Sequence, residues 1–567
     1  MIDFKTFLEN FDAIAEAPGG IPKLRSLILD LAVRGKLMSQ NPEDEPAQEL
    51  LSRLAAMRKE LVHKGLKGLP ATTSSISDDI DELPSGWQWV KVGNLTQKLG
   101  SGSTPKGGKQ VYVSSGIKFI RSQNVRNNGL LLEDVAYISP DIHQKMNNTV
   151  VQPGDVLLNI TGASIGRSAL VPTDFDEANV SQHVAIVRPI MLEMNQWIHL
   201  YLISPMTFRN IMDVQVGISR EGLSMIRLKE FLIPLPPLAE QKRIVEKVDE
   251  LMALCDRYEA AKQTRDNLRQ KLRESAIASL MDAETDKELE VAWAFVRDNW
   301  HNLSQQPEDI NSLRQTLLHL AVRGKLVFQN PNDEPAEKLL KIIATKHTTD
   351  AKKFRKPKDL PSLKDLDKPF ELPLGWSWCR FTEIGQLDRG KSKHRPRNDS
   401  VLYENGFIPL VQTGDVARAN GVIETYTALY NHQGLAQSRL WSKGTLCITI
   451  AANIGDSAIL GFDACFPDSI VGFLPTEPIS DSRYFEFFIR TLKSRLEDFA
   501  PSTAQKNINL GILDEVLIPL PPLAEQKRIL AKVDELLKLC DQLEASLRQS
   551  QQRAESLAAS AISHLTI

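Results

Sequence analysis

The sequence has little of what metal centres and membrane spans require. Its 567 residues include five cysteines and ten histidines, and no two cysteines form a CxxC pair. This spacing argues against a zinc site and favours reduced thiols. No run of about 18 apolar residues is present, so we expect no transmembrane helix. The opening stretch MIDFKTFLENFDAIAE is acidic and amphipathic and does not resemble a signal peptide, so we expect a cytoplasmic protein.

Catalytic motifs are missing too. The Asp/Asn/Ser-Pro-Pro-Tyr/Phe element of amino-methyltransferases is absent, because both PP pairs stand in LPPL, and leucine cannot stack on a flipped base or supply its polar partner. We find no clustered-carboxylate nuclease motif. GQLDRGKS at 385–392 fits the phosphate-binding pattern GxxxxGK(S/T), but KHRPR follows it where that motif needs a helix. We therefore expect a non-catalytic chain with no cofactor of its own.

The sequence contains an internal repeat, with two copies of one unit. LAVRGKL stands at 31–37 and 320–326, and LPSGWQW at 83–89 matches LPLGWSW at 372–378, both with an offset of 289. IPLPPLAEQKRIVEKVDELMALCD at 233–256 matches IPLPPLAEQKRILAKVDELLKLCD at 518–541, with an offset of 285 and 4 differences in 24 residues. Between these matching ends the copies diverge. Such a pattern is typical of two modules of one fold that read different targets, although drift of surface loops is an alternative.

Hydrophobic periodicity predicts an α+β chain with five regions. Helical spacing favours an N-terminal helical segment at 1–70, and short apolar runs such as VLLNI and HVAIV predict a mixed α/β domain at 83–236. The repeat then predicts a central helical region at 237–345, a second α/β domain at 372–521 and a C-terminal helix at 522–567. Pseudo-two-fold symmetry further requires the N-terminal segment to pack beside the C-terminal helix.

A heptad pattern predicts that the exit helix of each copy is long. In the second copy apolar residues step by four and three from Ile529 to Ala561, and in the first copy the same seam slips after Tyr258. The helix from about 238 to 281 would be roughly 65 Å long at 1.5 Å per residue. We expect Cys255 and Cys540 to be small buried seam residues rather than redox groups.

Positive charge is concentrated at one place in each copy. Net charge is −3, yet residues 83–132 contain seven Lys or Arg and no Asp or Glu, and residues 387–400 carry a local charge of +3. Lysines beside glycines can approach phosphates, and Arg, Gln and Asn can read base edges. The DNA-contact candidates of the first copy are Lys98, Ser103, Thr104, Lys106, Lys109, Arg121, Gln123, Asn124, Arg126, Arg167 and Arg220. Those of the second copy are Arg389, Lys391, Lys393, Arg395, Arg397, Gln412, Asp415, Asn453, Gln505, Lys506 and Asn507.

The duplicated LPxGWxW and IPLPPLAEQKRI motifs resemble those of type I restriction–modification specificity subunits, over nearly the whole chain. The LAVRGKL and NPxDEPA stretches resemble the subgroup with an extra N-terminal helical segment. The resemblance implies two target-recognition domains separated by an antiparallel pair of long coiled-coil helices. Each domain would read one half of a bipartite double-stranded DNA site.

Further implications of the resemblance concern partners. Two methyltransferase subunits and the restriction/translocation subunits would join the chain and would hold the methyl donor, ATP and Mg. Two alternatives stay open, a recognition subunit of another methylation-based phage-defence assembly and a coiled-coil scaffold that does not bind DNA. The acid-free basic stretch argues against the scaffold.

Overall fold

The computed structural model describes residues 4–65, 82–216, 222–349, 360, 363, 368–451, 453–498 and 508–566. These residues form two compact units. The first unit comprises residues 1–265 and 550–567, and the second comprises residues 266–549. The last turns of the C-terminal helix therefore belong to the first unit, as the pseudo-two-fold symmetry predicts.

Each unit has a bundle of helices that carries a mixed α/β domain. The helices of the first copy are α1 (Phe4–Glu16), α2 (Gly20–Val33), α3 (Ala47–His63), α4 (Val92–Leu95), α5 (Pro140–Lys145), α6 (Asn195–Leu202), α7 (Pro205–Val216), α8 (Met225–Glu230) and α9 (Leu238–Asp282). Those of the second copy are α10 (Asp286–Asp298), α11 (Trp300–Leu303), α12 (Ile310–Val322), α13 (Ala336–Thr349), α14 (Phe381–Ile384), α15 (Thr413–Arg418), α16 (His432–Gln437), α17 (Arg483–Asp498), α18 (Leu510–Glu515) and α19 (Leu523–Thr566). Among these helices none is long and apolar enough to cross a bilayer.

The strands are short and fall between the helical regions. In the first recognition domain they are β1 (Gln88–Lys91), β2 (Thr96–Ser101), β3 (Tyr112–Val113), β4 (Ile117–Ile120), β5 (Val125–Arg126), β6 (Gly129–Leu130), β7 (Ala136–Ile138), β8 (Val150–Val151), β9 (Val156–Asn159), β10 (Ser168–Leu170), β11 (Ala178–Val180), β12 (Val184–Pro189) and β13 (Leu232–Leu235). In the second they are β14 (Ser377–Cys379), β15 (Gly385–Arg389), β16 (Ile408–Leu410), β17 (Val422–Ile423), β18 (Ala428–Tyr430), β19 (Leu440–Trp441), β20 (Leu446–Thr449), β21 (Ser457–Leu460), β22 (Ala464–Cys465), β23 (Ile470–Pro475) and β24 (Ile518–Leu520).

The two recognition domains share one sheet topology. The strand order β2-β12-β9-β10 in the first domain corresponds to β15-β23-β20-β21 in the second, and β7-β4-β11-β8 corresponds to β18-β16-β22-β19. Apolar side chains from both sheets form a core in each domain, with Leu157 and Val180 buried in the first and Cys447 and Phe466 buried in the second. This arrangement confirms the predicted fold class of two mixed α/β domains, long helices and an internal repeat.

A joint of three duplicated motifs connects each recognition domain to its helices. In the first unit the joint consists of Gly35 from LAVRGKL, Trp87 from LPSGWQW and Glu240 from the start of α9. The indole nitrogen of Trp87 donates a hydrogen bond to the buried Glu240 carboxylate at 3.0 Å. Gly35 has a φ of +66°, and a Cβ there would lie 2.5 Å from Pro84. Side chains are excluded at this contact, which explains why the glycine occurs in both copies.

The second unit repeats the joint with Gly324, Trp376 and Glu525. Trp376 donates to the Glu525 carboxylate at 3.0 Å, and a Cβ on Gly324 would lie 2.5 Å from Pro373. Burial raises the pKa of the Glu525 carboxyl, as it does for Glu240, and the tryptophan hydrogen bond opposes that rise. An unpaired buried polar group costs about 1–3 kcal/mol, so neither partner of the pair changes freely. The same contact therefore constrains the glycine, the tryptophan and the glutamate in both copies.

The long helices α9 and α19 each contribute residues to both units. Cys255 and Cys540 are buried and reduced, as expected for seam residues. Within the second unit the seam around Cys540 packs against Ile310 and Leu317 of α12. Within the first unit Ala558 and Leu565, near the end of α19, join the core that contains Phe7. The seam residues therefore complete helical bundles inside each unit.

Candidate nucleic-acid interface

Three loops meet at one edge of the first recognition domain, and we call residues 102–106, 160–164 and 181–183 the first loop face. Gly102 donates its backbone N–H to Val184 at 2.9 Å, and Ser103 donates to Val180 at 3.2 Å. The loop that follows β9 is tied in by the N–H of Ile160, which donates to the His183 carbonyl at 3.0 Å. A Cβ on Gly102 would lie 2.0 Å from the carbonyl oxygen of Val180, so this position requires glycine for a close approach.

The second domain has the same edge, and we call residues 390–397, 450–454 and 467–469 the second loop face, with residue 452 outside the described part. Gly390 donates to Ile470 at 2.8 Å and Lys391 donates to Phe466 at 3.2 Å, in the positions of Gly102 and Ser103. A Cβ on Gly390 would lie 2.3 Å from two carbonyl oxygens. The two glycines are therefore equivalent, and the faces are two versions of one site.

The GQLDRGKS stretch has a structural explanation in this face. Its residues 385–389 form β15, and no helix follows at 390–399. The N–H groups of Lys393 and His394 both donate to the side-chain oxygen of Gln437, at 2.6 and 3.1 Å. Together with Gly390 and Lys391, these groups are already used inside the domain. A phosphate-binding loop needs such N–H groups free, so the match to that pattern is coincidental.

Several predicted candidates do lie on the loop faces or beside them. In the first domain Ser103, Thr104 and Lys106 are exposed on the face, and Gln123 is exposed in the turn after β4. In the second domain the exposed candidates are Arg389, Lys391, Lys393, Arg395, Arg397, Gln412 and Asn453. The second face thus presents several exposed lysine and arginine side chains and the described part of the first presents Lys106, all of which could contact phosphates.

Asn124 and Asp415 have a different role from the one predicted. The Asn124 side chain is buried, accepts a hydrogen bond from the Arg121 N–H and donates to the Leu131 carbonyl, both at 2.9 Å. Asp415 is also buried and accepts from the Gln412 N–H at 2.8 Å. Both side chains cap the same turn in the two domains. They build the fold and are not presented to solvent.

Four other basic candidates are less exposed than the lysines of the loop faces or make contacts within their own unit. Lys98 is half-buried on β2, where burial and the nearby Arg188 lower its pKa. Arg121 donates to the Asp134 carbonyl at 3.1 Å. Arg126 and Arg167 line a cavity of about 1060 Å³ that is also lined by residues of α2 and α9. Arg121 and Arg167 nevertheless adjoin the first loop face, because the N–H of Ser181 donates to the Ile120 carbonyl at 2.9 Å and the N–H of Arg167 donates to the Ser164 carbonyl at 3.2 Å.

Five candidates cannot be placed. Arg220, Gln505, Lys506 and Asn507 lie outside the described residues, as does the side chain of Lys109. Within the described part of the chain no group of three or more His, Cys, Asp or Glu residues could hold a metal ion.

The loop faces also contain residues that the sequence analysis does not single out. They are Thr161, Gln182, His183, Asp468 and Ser469. Gln182 and Asp468 stand just before buried strands, in short turns without a charge cluster or a motif. The one feature of the sequence that could have identified them is that they differ between the two aligned copies.

Comparison with known proteins agrees with this architecture. The profile described as "Type I restriction modification DNA specificity domain" matches twice, at residues 84–265 and 373–551. The type I restriction enzyme EcoEI specificity subunit of Escherichia coli is 32% identical over 95% of this chain and 93% of its own length. The EcoAI specificity subunit of the same species is 29% identical over 95% of this chain and 92% of its own length.

Solved structures include a similar chain, the HsdS subunit from Thermoanaerobacter tengcongensis. It is 20% identical, with a TM-score of 0.43, over 87% of this chain and 98% of that one. The family assignment depends on the duplicated profile match and on the EcoEI relative, both of which span the two recognition domains. This chain therefore belongs to the family of type I restriction–modification DNA specificity subunits, the non-catalytic chains that recognise DNA.

Proposed function

We propose that this chain recognises a bipartite, asymmetric DNA site and reads one half with each recognition domain. One observation carries the proposal: two equivalent loop faces on one chain present different side chains on the same backbone frame. Gly102 and Gly390 occupy matching positions, whereas Ser103 is replaced by Lys391 and Thr104 by Ser392. Two readers with one frame and different side chains would accept different half-sites.

We infer that phosphate contacts come from the basic side chains on the two faces and next to them. In the first domain these are Lys106 and Lys109, with Ser103, Thr104 and Gln123 as further contacts. In the second domain they are Arg389, Lys391, Lys393 and Arg395, with Arg397, Gln412 and Asn453 as further contacts. Phosphate contacts position the duplex, and base contacts specify the sequence.

Catalysis would come from partners in this proposal. Two methyltransferase subunits would dock on the chain, and restriction/translocation subunits would join them. The methyl donor, ATP and Mg would be bound by those partners, in keeping with the occupied N–H groups of the 390–394 loop. A recognition subunit of another methylation-based phage-defence assembly would use the same faces, and the partner that co-purifies with the chain distinguishes it.

Mapping of methylated bases tests the proposed function. Cells that express the full chain with its methyltransferase partner should carry methyl marks at one interrupted motif with two unlike halves. A continuous motif, or one with two identical halves, would contradict recognition by two different domains. The same mapping without this chain is the control, and it should give no such motif.

A salt titration tests the basic loop of the first face. Replacing Lys106 and Lys109 by alanine should weaken binding to any duplex by a similar factor, because phosphate contacts are independent of sequence. Each lost contact should reduce the slope of log affinity against log salt by about 0.9. Lys59→Ala, at an exposed lysine of α3, is the matched control and should leave the slope unchanged. An unchanged slope in the double variant would mean that these lysines only solubilise the loop, and a DNA-free scaffold would give no slope at all.

A further inference from the structure

We propose that a two-residue turn in each recognition domain determines which base pairs that domain accepts. The turn is Gln182–His183 in the first domain and Asp468–Ser469 in the second. This inference rests on the proposed function, because it names the base-reading part of each DNA-contacting face. It assigns an adenine contact to Gln182 and a guanine contact to Arg397, which Asp468 positions.

The two turns occupy equivalent places in the fold. The His183 carbonyl accepts the N–H of Ile160 at 3.0 Å, and the Ser469 carbonyl accepts the N–H of Ile450 at 2.9 Å. Each turn leads directly into a buried strand, β12 in the first domain and β23 in the second. The same backbone hydrogen bond thus fixes the turn in both domains, whereas the side chains of the turn differ between them.

The surroundings of the turn suit contact with a base edge. On one side lies the basic loop, which the bond from Ser103 to Val180 attaches in the first domain and the bond from Lys391 to Phe466 attaches in the second. On the other side lies the loop after β9 or β20. Basic side chains on the flank can hold the phosphate backbone while the central turn meets the bases.

In the first domain the turn presents two polar side chains. Gln182 is exposed and has no hydrogen-bond partner among the described residues. A glutamine amide can both accept from N6 and donate to N7 of adenine, and this pairing distinguishes adenine from the other bases in the major groove. His183 is exposed too, and its Nδ1 lies 2.6 Å from the Thr161 hydroxyl. That bond orients the ring, with Nε2 on its other side and Thr161 as the positioning residue.

In the second domain the turn acts through arginines. The Asp468 carboxylate accepts a hydrogen bond from Nη2 of Arg397 at 2.6 Å, and its backbone carbonyl accepts from Nε of Arg389 at 2.9 Å. The Arg397 side chain is 49% exposed while it makes this contact. A guanidinium that donates to a carboxylate on one edge still has N–H groups that can donate to a second acceptor. An arginine oriented in this way can make the bidentate contact with O6 and N7 of guanine.

Selection from a pool of randomised DNA duplexes tests the proposal. The full chain, bound to its methyltransferase partner, should enrich one two-part motif. Gln182→Ala should lose the preference for adenine at one position of the first half and keep the second half. Affinity for the wild-type motif should fall by roughly five- to 150-fold, the range for a lost bidentate base contact, while affinity for a scrambled duplex stays the same. Gln152 is an exposed glutamine that precedes β9, at the end of the strand away from the loop face. The control variant Gln152→Ala should therefore enrich the same motif as the wild-type chain.

The second domain offers a variant that keeps its charge. Arg397→Lys should weaken the preference for guanine in the second half and retain the salt slope, because lysine keeps the charge but lacks the planar guanidinium that Asp468 orients. Asp468→Asn should weaken the same preference and leave the first half unchanged. If Gln182→Ala and Arg397→Lys both enriched the wild-type motif, the proposal would be overturned. It would also be overturned if these variants lost equal affinity for the selected and the scrambled duplexes. A wild-type complex that enriches no motif would instead refute the proposed function itself.

Discussion

Exchanging residues 92–231 for the matching segment of another family member is expected to change one half of the recognised sequence and to preserve the other half. These boundaries lie just inside the strand pair β1–β13, in which Gln88–Lys91 pairs with Leu232–Leu235. The graft therefore leaves the joint of Gly35, Trp87 and Glu240 intact. The second unit has its own core and its own joint, so the change should not spread to it.

The effect of this exchange on binding should be large. Each wrong base pair costs about 1–3 kcal/mol, roughly additively for separated positions, so several changes in one half-site abolish recognition of the original site. Methylation mapping of cells that carry the grafted chain measures the result directly. The reciprocal exchange of residues 380–517, inside the pair of Ser377–Cys379 with Ile518–Leu520, is the matched control and should alter the other half. Simultaneous change of both halves in either graft would show that the domains do not read independently.

A fragment of residues 1–285 is expected to pair weakly with itself, and Arg269→Ala with Arg273→Ala should strengthen the pairing. In the full chain the first unit is completed by residues 550–567, where Ala558 is fully buried. An isolated fragment lacks that C-terminal segment. In a dimer of two fragments, the end of α9 from one fragment would occupy the place of the missing segment in the other. By the offset of 285, however, Arg273 would take the place of Ala558 and Arg269 the place of Ala554.

The second unit indicates why Arg273 in particular opposes the exchange. There Arg273 lies 2.9 Å from the Asp309 carboxylate, and Arg269 donates to the Gln305 side chain at 2.8 Å. By the offset of 289 the residue of the first unit that matches Asp309 is Gly20, which has no carboxylate. Burial of an unpaired guanidinium costs several kcal/mol, so its removal should tighten the dimer by more than about tenfold.

Sedimentation equilibrium of the fragment measures this association. The double variant should sediment as a dimer at concentrations where the unmodified fragment is largely monomeric. Arg257→Ala, at an exposed arginine of α9 in the first unit, is the matched control and should leave the association unchanged. Such a dimer carries two copies of the first recognition domain, so with its methyltransferase partner it should mark an interrupted palindrome. A double variant that stays monomeric would contradict the equivalence of the two helix ends.

The candidate site was only partly predictable from sequence. The basic loops were visible because a lack of acidic residues over 83–132 is a local property of the chain. Asn124 and Asp415 looked like base readers, since their side chains can pair with bases, but both cap a turn inside the domain. Gln182 and Asp468 gave no signal as single residues. The role we propose for them follows from the loops that other strands bring next to them.

The sequence by itself determined the repeat, the family resemblance, the long helices and the alternation of helical and α/β regions. All of these depend on periodicity or on identity between the copies. Both properties can be read from contiguous stretches of the sequence. The tertiary structure alone decided that Trp87 meets Glu240, 153 residues away. It also decided that three loops form each face. Contacts of this kind arise from chain closure and burial across distant segments, and no local pattern encodes which partners will meet.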